Sequence, residues 1–200
     1  MIGHFTELRF YSKIPRPIYQ ALNTMSDTPS GLGDPLESHI NVYIANRPPL
    51  DEYDSIDGVI PMKPSEIYSI AQLTGNHWRK VFNVYAKFIY ELWDMSNFKD
   101  WQSYRDESLL QTGSKVRLLF SKPCLDETNK IHIVMGKKYA EKLGLSELSN
   151  EGMIRLDKDF AIDRNKGLIV CPYFDYRQLS NEKITRLVKM VQELHQKSNG

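Results

Sequence analysis

The sequence predicts an α/β fold: a short, mainly parallel four-stranded sheet flanked by helices, preceded by an irregular N-terminal arm. Three observations carry this prediction. The strand candidates are apolar throughout rather than alternating, as expected where helices cover both faces of a sheet. Amphipathic stretches with helical spacing are interleaved with them. The 200 residues, 41% hydrophobic and 26% charged, fit one ordinary globular domain with a full core. The expected organisation is a single domain over 1–200, with the arm at 1–38 and the α/β core at 39–196.

The arm is punctuated by Pro15, Pro17, Gly31, Gly33 and Pro35, with room for one short helix over Pro17–Leu22, its proline in the first turn. His39–Ala45 is β-branched and aromatic and stops at Asn46-Arg47-Pro48-Pro49, which reads as a buried strand ended by a loop. The loop from Pro48 to Met62 is long, and long ordered loops are frequently functional. Ser65 is a candidate cap for a helix beginning at Glu66, and Asn76 for the next. That second helix is the clearest in the chain: Trp78, Val81, Val84, Tyr85, Phe88, Ile89 and Leu92 recur at three- and four-residue steps, the spacing of one helical face.

A short helix is expected around Asp100–Leu110. Strands are then expected at Val116–Phe120, Ile131–Met135 and Gly167–Cys171, and a helix at Lys137–Leu143 closed by Gly144. Only Ser121–Lys130 separates the second strand from the third, which is short for a helical crossover. That pair is therefore open between an antiparallel pairing and an unusual loop. Ser180 caps a terminal helix with Ile184, Leu187, Val188, Val191 and Leu194 on one face.

Several function classes drop out. The net charge is +1, so no strong global attraction draws the chain to DNA or a membrane. Charge is nonetheless uneven, net −4 over 1–112 and net +5 over 113–200. The basic half is open between a phosphate-facing surface and solvated helix faces. No apolar run reaches membrane-spanning length, and the opening residues lack the apolar stretch of a signal peptide. Two cysteines, Cys124 and Cys171, are too few for a disulfide scaffold, so a reducing cytoplasmic setting is expected. The five histidines show no metal-ligand spacing, and glycine-rich dinucleotide fingerprints are absent. No metal and no cofactor are expected.

In open parallel sheets, ligands gather beyond the carboxyl ends of the strands. Four segments should lie there: Asn46–Pro49, Ser121–Pro123, Gly136–Lys138 and Pro172–Arg177. Together they offer aromatic rings, polar groups and cations, the chemistry of nucleobase or nucleotide sites. Asn46 is the candidate for polar recognition, since its amide both donates and accepts; it could equally bond its own backbone ahead of the prolines. Arg47, Ser121, Gly136, Lys137, Tyr173 and Phe174 are the accompanying ligand-binding candidates. Gly136 and Lys137 could hold an anion on backbone N–H groups, or Gly136 could simply allow close packing. Tyr173 and Phe174 could stack a base, or plug the pocket. His77, in the first turn of its helix, could serve a site or lie on the surface. Cys171 reads as an inert buried thiol.

The order of these elements resembles the uracil-DNA glycosylase superfamily over roughly residues 39–196. The segments that carry the resemblance are Thr74–Lys80, Ile131–Ala140 and Val170-Cys171-Pro172-Tyr173, the last standing where that family has His-Pro-Ser before a terminal helix. The resemblance implies a short parallel sheet between helices, a site at the strands' carboxyl ends and a nucleic-acid partner. It implies that Asn46, in Ile44-Ala45-Asn46-Arg47-Pro48, takes the place of the water-positioning Asp or Asn, with one residue more before the proline. Ser121 would stand for the base-reading Asn. Cys171 stands where the family has the His that polarises the base carbonyl, and Tyr173 where it has the phosphate-gripping Ser. Losing a preorganised donor costs about a hundred- to thousandfold in rate. The expectation is therefore a divergent domain that binds a nucleobase or nucleic acid without efficient uracil excision. The alternatives are a catalytically inactive protein-interaction domain and, more remotely, a small-molecule hydrolase.

Overall fold

The computed structural model describes residues 28–126, 129–146 and 151–198. The helix expected at Pro17–Leu22 and most of the arm lie outside them. Strands β1 (Gly31–Gly33), β2 (Ile40–Tyr43), β3 (Val59–Ile60), β4 (Val116–Leu119), β5 (Ile131–Met135), β6 (Ile154–Arg155), β7 (Ala161–Asp163) and β8 (Leu168–Cys171) form one sheet. Helices α1 (Asp51–Asp54), α2 (Glu66–Thr74), α3 (Asn76–Leu92), α4 (Trp101–Glu107), α5 (Lys137–Lys142) and α6 (Asn181–Ser198) cover it.

The fold is α/β, as the sequence predicts, but the sheet is mixed and has eight strands in the order β3-β1-β4-β2-β5-β8-β7-β6. Its centre, β4-β2-β5-β8, is parallel throughout. On one flank β1 runs antiparallel to β4, and on the other β7 and β6 continue antiparallel from β8. The expectation of four strands thus caught the centre and missed both flanks. The arm, read as irregular to residue 38, supplies β1. The β4–β5 connection is settled too: the two strands are not neighbours, because β2 lies between them, and both run parallel to it.

Two cores sandwich the parallel strands because alternate residues of a strand face opposite sides. Ile40, Val42, Leu118, Ile133 and Ile169 face the larger core, with Trp78, Phe82, Tyr85, Phe88 and Ile89 of α3 and Leu187 and Val191 of α6. Tyr43, Leu119, Val134, Leu168 and Val170 face the smaller one, with Ala140 of α5 and Leu125 of the β4–β5 connection. The second face also carries buried polar groups. The Tyr43 hydroxyl bonds His132 Nδ1 at 2.8 Å, and Arg117 Nε donates to the Asp34 carbonyl at 2.7 Å.

The two expected caps are corrected. Ser65 has φ 68° and makes no side-chain cap bond. The Glu66 carboxylate instead accepts from Lys63 N and the Tyr53 hydroxyl, both at 2.6 Å. Asn76 is the first residue of α3, and Gly75, at φ 77°, occupies the cap position. Asp100 does cap α4, its carboxylate accepting from Ser103 N at 2.8 Å.

Candidate functional site

The chain leaves β2 for β4 on one side and later reaches β5 on the other. The strand order therefore reverses between β2 and β5, the kind of point outside whose carboxyl ends open α/β sheets bind ligands. An open cleft of about 610 Å³ lies beyond the carboxyl end of β2, lined by Ala45, Asn46, Arg47, Pro49, Asp54, Thr74, His77 and Trp78. The loop after β2 forms one wall and the α2–α3 elbow the other.

Tyr173 joins the loop after β8 to the second of these walls. Its hydroxyl bonds His77 Nε2 at 3.0 Å, with the two rings stacked at 5.5 Å and 27°. Burial pushes this phenol up to about 12, against the pull of Asn46, so it is a neutral hydroxyl across the physiological range. The His77–Tyr173 bond thus joins the start of α3 to the loop after β8, at a cleft lined by His77 and Asn46. Asn46 and His77 are exposed, while Trp78 is buried beneath them, edge-on to His77 at 5.9 Å and to Phe120 at 6.4 Å.

One helical turn beyond His77, Lys80 Nζ pairs with Asp175 at 3.0 Å, both side chains about four-fifths buried. Burial pushes the Asp175 carboxyl up, but the Arg177 backbone N–H and Lys80 outweigh it and hold it below the ordinary range. The ion pair ties the β8 loop to α3 and so fixes where Tyr173 stands.

The other expected site residues have different places. Arg47 borders the cleft, but Nη1 donates to the Tyr53 and Asp54 carbonyls at 3.0 and 3.1 Å and the guanidinium lies over Phe120 at 5.3 Å. It clamps α1 to the strand end. Ser121 Oγ accepts from Ser30 N at 3.3 Å, an anchor for the approach to β1. Gly136 N–H is not free for an anion, since it donates to the Cys171 carbonyl at 2.9 Å. Its φ of 97° explains the glycine, since a Cβ there would meet the Tyr173 ring only in ordinary contact at 3.8 Å. Lys137 is exposed and borders a second cavity of about 50 Å³ between α5 and the β6–β7 hairpin, away from the cleft. Phe174 is a correction: it is fully buried, against Tyr85 at 5.6 Å and Phe88 at 6.3 Å, so no base can stack on it. Cys171 is buried as expected, its thiol pushed up by burial.

Sequence reading missed Trp78, Lys80 and Asp175 and left His77 open. The available signal was the three-residue spacing of His77 and Lys80 at the start of a helix whose other face is apolar. Among the described residues, no group of three or more His, Cys, Asp or Glu side chains is placed to hold a metal ion, and no helix is long and apolar enough to cross a membrane.

Fold and site together describe an α/β protein with an open polar cleft at the carboxyl ends of its parallel strands. The chain belongs to a family of unknown function, DUF6942, which matches residues 30–192. No curated protein and no solved structure matches it.

Proposed function

We propose that the cleft binds a nucleobase or a nucleotide of a nucleic acid, as a divergent relative of the uracil-DNA glycosylase superfamily without efficient uracil excision. The observation that carries this reading is a cleft beyond the carboxyl end of β2 lined by Asn46 and by His77, the latter bonded to Tyr173 from the loop after β8. An amide that both donates and accepts, an imidazole and a phenol are groups that read a base edge and a ring face. Weak excision follows from Cys171, which stands where the resemblance calls for a polarising imidazole and whose buried Sγ donates to the Pro172 carbonyl at 3.3 Å.

The test is a titration of the protein with uracil, uridine monophosphate and single- and double-stranded DNA at low and moderate salt. Binding that weakens as salt rises is expected for nucleic acid, because phosphate contacts release counterions. Asn46→Ala should lower affinity about tenfold, the equivalent of one hydrogen bond to the ligand, with the melting temperature unchanged. Absence of binding to every one of these probes at low salt would favour the protein-interaction alternative. Rapid uracil release from uracil-containing DNA would refute the weak-excision half of the proposal.

A further inference from the structure

Tyr176 is an exposed aromatic ring, 56% accessible, three residues beyond Tyr173, which bonds the cleft residue His77. Lys80 Nζ lies 5.0 Å from its centroid and the Arg177 guanidinium 5.9 Å. The two tyrosines of this loop are fastened to successive turns of one helix. Tyr173 is held by His77, and Tyr176 lies against Lys80, itself anchored by Asp175. His77 and Lys80 are about 4.5 Å apart along the α3 axis, so the two rings stand at neighbouring levels along α3.

The loop is pinned at its turn. Asp175 N donates to the Tyr173 carbonyl at 2.7 Å, and the Asp175 carbonyl accepts from Gln178 N and Leu179 N at 2.8 Å. The Asp175 carboxylate is shared between Lys80 and Arg177, so two cations stand beside the ring against one carboxylate. A ring that is 56% accessible, with cations held over it, suits a ligand that offers a flat π face and a negative charge together. A nucleotide has both.

We infer that Tyr176 is a stacking subsite for the nucleotide next to the one in the cleft, so that the ligand is a single-stranded oligonucleotide rather than a free base or mononucleotide. The inference rests on the nucleobase reading of the cleft. Single strands are required because stacking on a side chain needs a base face that a duplex keeps covered.

Thymidine monophosphate and a short labelled oligothymidylate, single-stranded or hybridised, are the probes, read by fluorescence anisotropy and competition. The single strand is expected to bind more tightly than the mononucleotide. Tyr176→Ala should remove about fivefold or more of single-strand affinity and leave mononucleotide affinity unchanged, whereas Tyr176→Phe should retain both. Arg177→Gln should flatten the salt dependence by close to one phosphate contact, a slope change of about 0.7 for a single strand. The subsite alone is overturned if the mononucleotide binds and the single strand gains nothing over it, if Tyr176→Ala leaves single-strand binding intact, or if the hybridised duplex binds equally well. If neither the mononucleotide nor the oligonucleotide binds the unaltered protein, the cleft reading falls and the subsite with it.

Discussion

Tyr173 and Phe174 are adjacent aromatic residues with opposite fates. The phenol reaches out to His77, while the phenyl ring fills the core between Tyr85 and Phe88. Truncating a buried phenylalanine costs about 3–5 kcal/mol, so Phe174→Ala should lower stability by that order in chemical denaturation. Tyr173→Phe removes only the hydroxyl, so it should cost about 1 kcal/mol and show mainly as lost affinity for a nucleotide probe. Equal destabilisation by the two variants would mean that Tyr173 is a packing residue. The sequence could not separate this pair, because the segment after Pro172 is a turn with no period to read. The direction of each ring is decided by the tight Asp175 N to Tyr173 O bond at 2.7 Å. Asn46 was legible for the opposite reason. It directly follows an apolar strand, and a strand end in a parallel sheet has a predictable place.

At the scale of elements, the four parallel strands were legible because burial on both faces leaves an unbroken apolar run. The flanking strands carry no such mark. Gly31-Leu32-Gly33 has poor strand propensity, and it is a strand because its glycines admit a close partner. A Cβ at Gly31 would lie 2.3 Å from the Leu118 carbonyl oxygen, a backbone atom that cannot swing away. Gly31→Ala should therefore cost about 1–3 kcal/mol, the range for overpacking, and loosen β1 from β4, seen as faster amide exchange at Leu32. The β6–β7 turn is held from α6: Arg186 bonds the Asp157 carboxylate and Lys183 pairs with Asp159 at 3.0 Å. Arg186, with the Asp159 and Phe160 N–H groups, holds the Asp157 carboxyl at about 2 against the upward push of burial. A folded value below the unfolded one means the contribution is complete above about pH 4 and is lost as pH falls toward 2. The pair is over a third exposed on both sides, so solvent limits it to under about 1 kcal/mol. Asp157→Asn should remove this acid-sensitive increment, and a stability curve between pH 4 and 2 identical to that of the unaltered protein would contradict it.

Across the whole molecule, the sheet grades from a centre covered on both faces to two short, exposed margins. β2 and β5 are buried at every position and paired on both sides. The terminal strands β3 and β6 have two residues each and expose Ile60 and Ile154. Short margins of this kind limit edge-to-edge association, and they also give the two ends the least to lose on opening. Local opening free energies run from near zero at such margins up to the global value in core strands. Native-state hydrogen exchange should therefore find the amides of Ile40–Tyr43 and Ile131–Met135 exchanging only through global unfolding. Those of Ile154–Arg155 should exchange orders of magnitude faster, through local opening. The cleft is set on the slow part, since Asn46 follows β2 and Tyr173 follows β8, which pairs with β5. A nucleotide bound there links the loops after β2 and β8 to the start of α3, so saturating ligand should slow the central amides, which open only globally, in proportion to its stabilisation. The margins, opening without disturbing the cleft, should keep their rates. Slowing at β6 equal to that at β2 would show that the sheet opens as one unit and that its margins have no independent stability.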